Sequence, residues 1–198
     1  MERLHDMLVE YNSHSISQES RRSWSNQFCE PIFPCYWKIV FEELQSIDKS
    51  KKVLEIGCGQ GDVTSILCYL GFKNIKAYEM DEMMSRVAIC KLNKLFGRID
   101  IVNSSKYPQG TECADILILV NCAYADECTT KDDYKKKILN FYKNASDPEL
   151  FLFEVIDPDY NIPDENFPYC LRLNNEDIEE MFPIASIHSF ETYRYPQN

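Results

Sequence analysis

The sequence predicts a doubly wound α/β domain with a mostly parallel sheet, and three observations predict it. From Lys52 onward, short apolar runs alternate with amphipathic helical segments, the signature of strand–helix–strand units with right-handed crossovers. The run from Ala114 to Val120 is apolar without alternation, as a central strand buried on both faces requires. A turn carrying Gly57, Gly59 and Gly61 follows the first apolar run and leads into a helix. Glycines there let the backbone take dihedrals closed to other residues and pass close to a ligand.

The elements follow in order. Residues 1–11 read as a helix, and residues 12–30 are polar and rich in Ser, with Arg21, Arg22 and Trp24 among them. Residues 35–47 carry apolar side chains at helical spacing behind Pro34, which suits a helix start. Together, residues 1–48 are expected to form an N-terminal helical lid on a domain spanning 49–198. Strands are expected at 52–56, 74–79, 99–103, 114–120 and 149–156, and helices at 61–70, 82–96 and 130–145. Gly71 and Gly97 stand where left-handed helix ends want glycine, and Asp81 can cap the second of these helices. A loop rich in Pro, Asp and Asn runs from 157 to about Leu173. A short helix capped by Asn174 or Asn175 follows, with acids in its first turns. Residues 184–195 alternate and read as a last strand.

Composition narrows the function classes. The chain has 198 residues, 44% hydrophobic and 27% charged, ordinary values for one globular domain. Twenty-one Lys and Arg stand against 32 Asp and Glu, a net charge of −11. A surface that acidic repels phosphate backbones, so nucleic acid is not the expected partner. The triplet Lys135–Lys137 falls on an expected surface helix and reads as a solvated face. No apolar stretch reaches the ~18 residues of a membrane span, and the charged N-terminus lacks a signal core. A cytoplasmic chain is the expectation, with its nine cysteines as free thiols. No Cys-x-x-Cys pair occurs and His5, His14 and His188 are scattered, so no metal site is expected.

The strongest motif is Val53-Leu-Glu-Ile-Gly-Cys-Gly-Gln-Gly61. Its spacing is Gly-x-Gly-x-Gly, where dinucleotide sites read Gly-x-Gly-x-x-Gly and set a pyrophosphate on a helix N-terminus. Glu55 stands two residues before the first glycine, where a carboxylate serves a cationic ligand better than a pyrophosphate. This segment resembles motif I of the class I S-adenosylmethionine-dependent methyltransferases, and the likeness runs over about residues 52–157. The resemblance implies a Rossmann-like sheet of six or seven strands and S-adenosyl-L-methionine as cofactor, with S-adenosyl-L-homocysteine as product. It places Glu55 near the methionine amino group, with Gly57, Cys58, Gly59 and Gly61 lining the cofactor. Glu79, at the end of the second strand, falls where that family carries an acid for the two ribose hydroxyls, and a carboxylate can accept both hydrogen bonds of a diol. Met80 would then lie beside the adenine. The family's Asp near the adenine amino group is replaced here by Asn103-Ser104-Ser105, of which Asn103 or Ser104 can hydrogen-bond.

The acceptor is less legible. Asn121 and Tyr124, after the fourth strand, share the mutual spacing of the Asn-Pro-Pro-Tyr motif of some amino-group methyltransferases, without the prolines. Asn121 also reads as a wall of the cofactor pocket. Methyl transfer needs positioning above all, and a base only if the acceptor carries a proton. Base candidates are His14, Asp126, Asp157 and His188. Arg21 and Arg22 with Trp24 can clamp a carboxylate or phosphate on a substrate. A small-molecule acceptor, methylated on oxygen or nitrogen, is the leading expectation. A protein or peptide acceptor and a non-catalytic cofactor-binding subunit are the alternatives.

Overall fold

In the computed structural model, which describes residues 1–20, 35–106, 110–120, 125 and 127–192, five parallel strands form one sheet in the order β3-β2-β1-β4-β5. The strands are β1 (Lys52–Ile56), β2 (Asn74–Tyr78), β3 (Val102–Asn103), β4 (Ile116–Leu119) and β5 (Leu150–Phe153). The helices are α1 (Glu2–Ser15), α2 (Cys35–Gln45), α3 (Asp62–Leu70), α4 (Glu82–Phe96), α5 (Lys131–Asn144) and α6 (Asn175–Met181). β1 lies at the centre, pairing Val53 with Ile75 on one side and with Ile116 on the other. The strand order reverses beside β1, so its carboxyl end opens into the crevice where such sheets bind ligands.

Local chemistry sets the ends of the helices. Asp81 accepts from the backbone N–H of Met83 and Met84 and starts α4. Thr130 and Asp133 form a capping box at α5, and Asn174 with Asp177 forms another at α6. Gly71 and Gly97 close α3 and α4 in the left-handed conformation expected of them.

The core lies on both faces of the sheet. On one face, Val53, Ile75, Ala77, Ile116 and Ile118 pack with α3 residues Val63, Ile66 and Leu67. Leu4 and Leu8 of α1 and Trp37 and Leu44 of α2 join the same cluster. Leu4 and Leu8 are fully buried, and burying two such side chains contributes roughly 3–6 kcal/mol to holding α1 in place. On the other face, Leu54, Ile56, Leu117 and Leu119 meet Phe141 and Ala145 at α5. A third cluster joins α5 to α6 and the segment after β5 through Tyr134, Ile138, Phe167, Leu171 and Ile178.

Four expectations are corrected. The sheet has five strands, not six or seven. Residues 184–192 form no strand, although their alternation suggested one. Ile184 is fully exposed and Phe190 half-exposed, and only Ile187 packs in part against the third cluster, so the alternating side chains do not share one buried face, and alternation without such a face does not hold a strand. His188 therefore lies on an exposed stretch of irregular chain rather than in a strand. The third strand is two residues long rather than five, because the edge pairs only Ala77 with Val102 and Tyr78 with Asn103. Ile99 stays exposed before it. The first helix is longer than expected and runs to Ser15.

Candidate functional site

The glycine turn leaves the carboxyl end of β1 and is held from several sides. Gly57, Gly59 and Gly61 all have positive φ, at 76°, 54° and 78°. An L side chain there costs about 1–2 kcal/mol. Gly61 has a second constraint, since a Cβ there would stand 3.0 Å from the Cβ of Ala88 on α4. The backbone N–H groups of Gly57 and Cys58 both donate to the Tyr78 carbonyl at 2.8 and 3.0 Å, tying the turn to the end of β2.

Glu79 follows β2 and closes the other side. One carboxylate oxygen accepts from the Gly59 N–H and the other from the Asp81 N–H, each at 2.8 Å. The residue is 8% exposed. A carboxylate offers about four acceptor positions, so two remain for further donors. Met80, beside it, is exposed. Beside Glu79, whose backbone N–H donates to the Asn103 carbonyl, the Asn103 side-chain amide donates to the carbonyls of Ala77 and Ile101, and the Ser104 hydroxyl lies 2.8 Å from that of Ser85.

Glu55 is buried beneath the turn, and its carboxyl accepts from the Thr64 hydroxyl at 2.6 Å. Burial pushes this carboxyl up to about 8, against the Thr64 hydrogen bond, with the nearby charges of Asp62 and Glu79 adding to the rise. Cys58 is buried beside it, and burial drives its thiol well above the ordinary range, so this thiol is a packing group and not a nucleophile.

Residues that the sequence did not single out fasten the turn. Asp62, the first residue of α3, pairs at 2.7 Å with Lys91 of α4, and both are buried. The Asp62 carboxyl is raised by its burial and lowered in part by Lys91. The Lys91 and Lys94 ammonium groups sit 5.9 and 5.4 Å from the centre of the Tyr11 ring, which draws α1 onto α4. Gln60, fully buried in the glycine turn, donates to the Ser20 carbonyl at 3.0 Å and links the turn to the N-terminal segment. A sequence signal for Lys91 existed: it lies on the stripe of Met84, Ala88 and Leu95, where a lysine needs an acid partner. Gln60 and Thr64 left no signal, because their partners lie on other elements.

Between α1 and α4 lies a groove of about 570 Å³, lined by apolar side chains such as Tyr11, Met83 and Val87 and by polar ones such as Asp81, Glu82 and Arg86. His14 is exposed on the last turn of α1, with its ring against the Glu10 carbonyl at 3.0 Å. Of the other expected site residues, Arg21, Arg22, Trp24, Asn121 and Tyr124 lie outside the described residues, as does Asp126. Asp157 stands just after β5, where its side chain accepts from the Asp159 N–H. No helix among the described residues is long and apolar enough to cross a membrane.

No family model matches the chain, and no curated protein does. Solved structures do match. A magnesium protoporphyrin IX methyltransferase from Synechocystis with bound S-adenosylhomocysteine shares 15% identity at a TM-score of 0.55, covering 89% of this chain and 80% of that one. The same enzyme with bound S-adenosylmethionine gives 12% identity and a TM-score of 0.53, over 90% and 83% of the two chains. An S-adenosylmethionine-dependent methyltransferase from Clostridium acetobutylicum shares 19% identity at a TM-score of 0.50, over 68% of this chain and 55% of that one. The present chain thus spans just over half of the Clostridium enzyme and about four fifths of the Synechocystis one. The sheet and the matching structures agree that the chain has the Rossmann-like α/β fold found in these S-adenosylmethionine-dependent methyltransferases.

Proposed function

We propose that this protein binds S-adenosylmethionine at the carboxyl end of β1 and transfers its methyl group to a small-molecule acceptor, on oxygen or nitrogen. The observation that carries the reading is the 2.8 Å hydrogen bond from the Gly59 N–H to Glu79. It joins two features that the sequence offers separately, the glycine turn and the acid at the end of β2, at one point of the crevice.

The donor set fits the cofactor. Glu79 keeps acceptor capacity for a diol, and the positive-φ glycines open the turn for close approach. Glu79, at the edge of the turn, gives the crevice an acid that suits a ligand carrying an ammonium and a sulfonium, and Glu55 lies buried directly beneath the turn. When bound, S-adenosylmethionine supplies an already activated methyl group. The chain's own part is then to hold the partners in line and keep water out, which accounts for most of the acceleration in such transfers. In this reading Gly57, Cys58, Gly59 and Gly61 line the cofactor, Met80 borders the adenine, and Ser104 or Asn103 faces its amino edge. The Asn103 amide nitrogen is engaged with backbone carbonyls, which leaves its oxygen as the acceptor for that edge, and the Ser104 hydroxyl is shared with Ser85. Asn121 and Tyr124 remain the residues proposed beside the methyl group, and Arg21, Arg22 and Trp24 those proposed against the acceptor. His14 is kept as the base candidate on α1.

A small acceptor is supported by the groove between α1 and α4, whose size falls in the ~300–1,000 Å³ range of small-molecule sites and which reaches Asp81, two residues from Glu79. The net charge of −11 argues in the same direction, away from nucleic acid. The test is a labelled-methyl assay with S-adenosylmethionine, offering fractionated metabolites in one arm and basic peptides in the other. Label in the metabolite arm that is lost in Glu79→Ala supports the proposal. Label in the peptide arm alone overturns the small-acceptor reading, and label in neither arm overturns the transferase reading.

A further inference from the structure

The carboxyl of Glu55 is a charged-type side chain with 3% exposure, set between the sheet and α3. Among the described residues its hydrogen-bond partner is the Thr64 hydroxyl, at 2.6 Å. Among the described residues, the charged groups that act on it are acids. Asp62 on α3 and Glu79 after β2 both oppose a negative charge on it, as does the Cys58 thiolate form in the turn. The lysine of this region, Lys91 on α4, holds Asp62 at 2.7 Å. The flanking strands bring only Ala77 and Ile118 into register with Glu55. A carboxylate buried without its own cation costs several kcal/mol, and such a group takes up a proton instead.

We infer that Glu55 is a neutral acid in the free protein and that cofactor binding is coupled to its ionisation, so that each cofactor bound releases a proton to solvent. The inference rests on the proposed cofactor reading and extends it. The ligand's ammonium, brought beside the turn, supplies a cation that none of the described residues gives to Glu55. Glu55 then loses its O–H proton to solvent, the electron pair stays on the carboxylate, and an ion pair forms. Thr64 acts as a positioning residue, because its hydroxyl can donate to the Glu55 carboxyl in either state. The site therefore senses pH through a residue that is almost wholly buried.

The arithmetic follows from the raised carboxyl, pushed up to about 8 by burial. At pH 7 about 0.9 of the population carries the proton, so full ionisation releases about 0.9 proton per ligand, while at pH 9 the release falls to about 0.1. Cofactor affinity accordingly rises close to tenfold per pH unit between about pH 5.5 and 7.5, then flattens.

Titration calorimetry with S-adenosylhomocysteine in phosphate and in Tris, whose ionisation enthalpies differ widely, counts the protons. Native protein is expected to release nearly one at pH 7 and almost none at pH 9, and Glu55→Gln none at either. Infrared difference spectra of the native protein give a second readout that needs no variant, since a protonated-carboxyl band should vanish on adding S-adenosylhomocysteine. Binding without proton release, or release that persists in Glu55→Gln, overturns the inference and leaves the cofactor reading standing. Absence of binding by native protein at every pH overturns the cofactor reading itself.

Discussion

Replacing Lys91 by Met should be among the most damaging single changes outside the glycine turn. The Lys91 ammonium is fully buried and its Asp62 partner nearly so, at 2.7 Å. Methionine matches the length and fills the space, so the loss is electrostatic and not a cavity. Removing one partner of a buried pair strands the other charge, and that costs about 3–5 kcal/mol. The change also removes one of the two ammonium groups over the Tyr11 ring, 5.9 Å from its centre. For a chain of this length each kcal/mol corresponds to roughly 2–4 °C in Tm, so the expected fall is about 6–20 °C. Asp62→Leu combined with Lys91→Met removes both charges and should recover more than half of the loss, since an apolar pair of similar volume is often neutral. Thermal unfolding followed by circular dichroism on the four proteins of this cycle measures the coupling directly. A Lys91→Met variant within 1 kcal/mol of native (by denaturant unfolding) would refute the reasoning, because the pair would then be solvated in solution.

Gly61→Ala should cost about 1–3 kcal/mol in denaturant unfolding, since it adds a left-handed alanine whose Cβ meets Ala88 at 3.0 Å. Glu55→Gln should stabilise the free protein at pH 8 while leaving it little changed at pH 5. A carboxyl raised to about 8 in the folded state and near 4 when unfolded favours folding least at high pH, so native stability falls from about pH 4.5 to 8, and the glutamine variant loses that slope in Tm. Asp177 runs the other way. Burial raises its carboxyl, but hydrogen bonds from Lys131, Lys135 and the Asn174 backbone outweigh it and hold it at about 2. Its stabilisation is present above pH 4 and lost as pH falls toward 2, and Asp177→Asn should flatten acid unfolding over that window.

Much of the domain was legible because its signals are local. The buried runs at β1, β2 and β4, the caps Asp81, Gly71, Gly97 and Asn174, and the glycine turn each depend on a few neighbouring residues. The misreadings arose where tertiary context decides. At the β3 edge, Ile99 carries strand-like chemistry but has no neighbour to pair with. At 184–192 an alternating pattern rests only Ile187 on the core and leaves Ile184 and Phe190 exposed. Arg172 escaped notice for the same reason. It is buried in the segment after β5 and donates to the carbonyls of Tyr160, Ile162 and Phe167, organising a loop whose composition suggested only irregular chain. In the candidate site, Glu55 and Glu79 were singled out from position alone. Their physical settings, one sealed under the turn beside Thr64 and the other clamping Gly59 and Asp81, needed the fold to appear.

The central claim is that the crevice between the glycine turn and Glu79 holds the cofactor. Calorimetric titration of native protein and Glu79→Ala with S-adenosylhomocysteine tests it most directly. The account predicts saturable one-to-one binding by the native chain. It also predicts a loss of about 1.5–3 kcal/mol in Glu79→Ala, the worth of hydrogen bonds to a charged group, or roughly 10- to 150-fold in Kd. Equal affinities for the two proteins would contradict the placement of the site, and absence of binding by the native protein would contradict the claim itself.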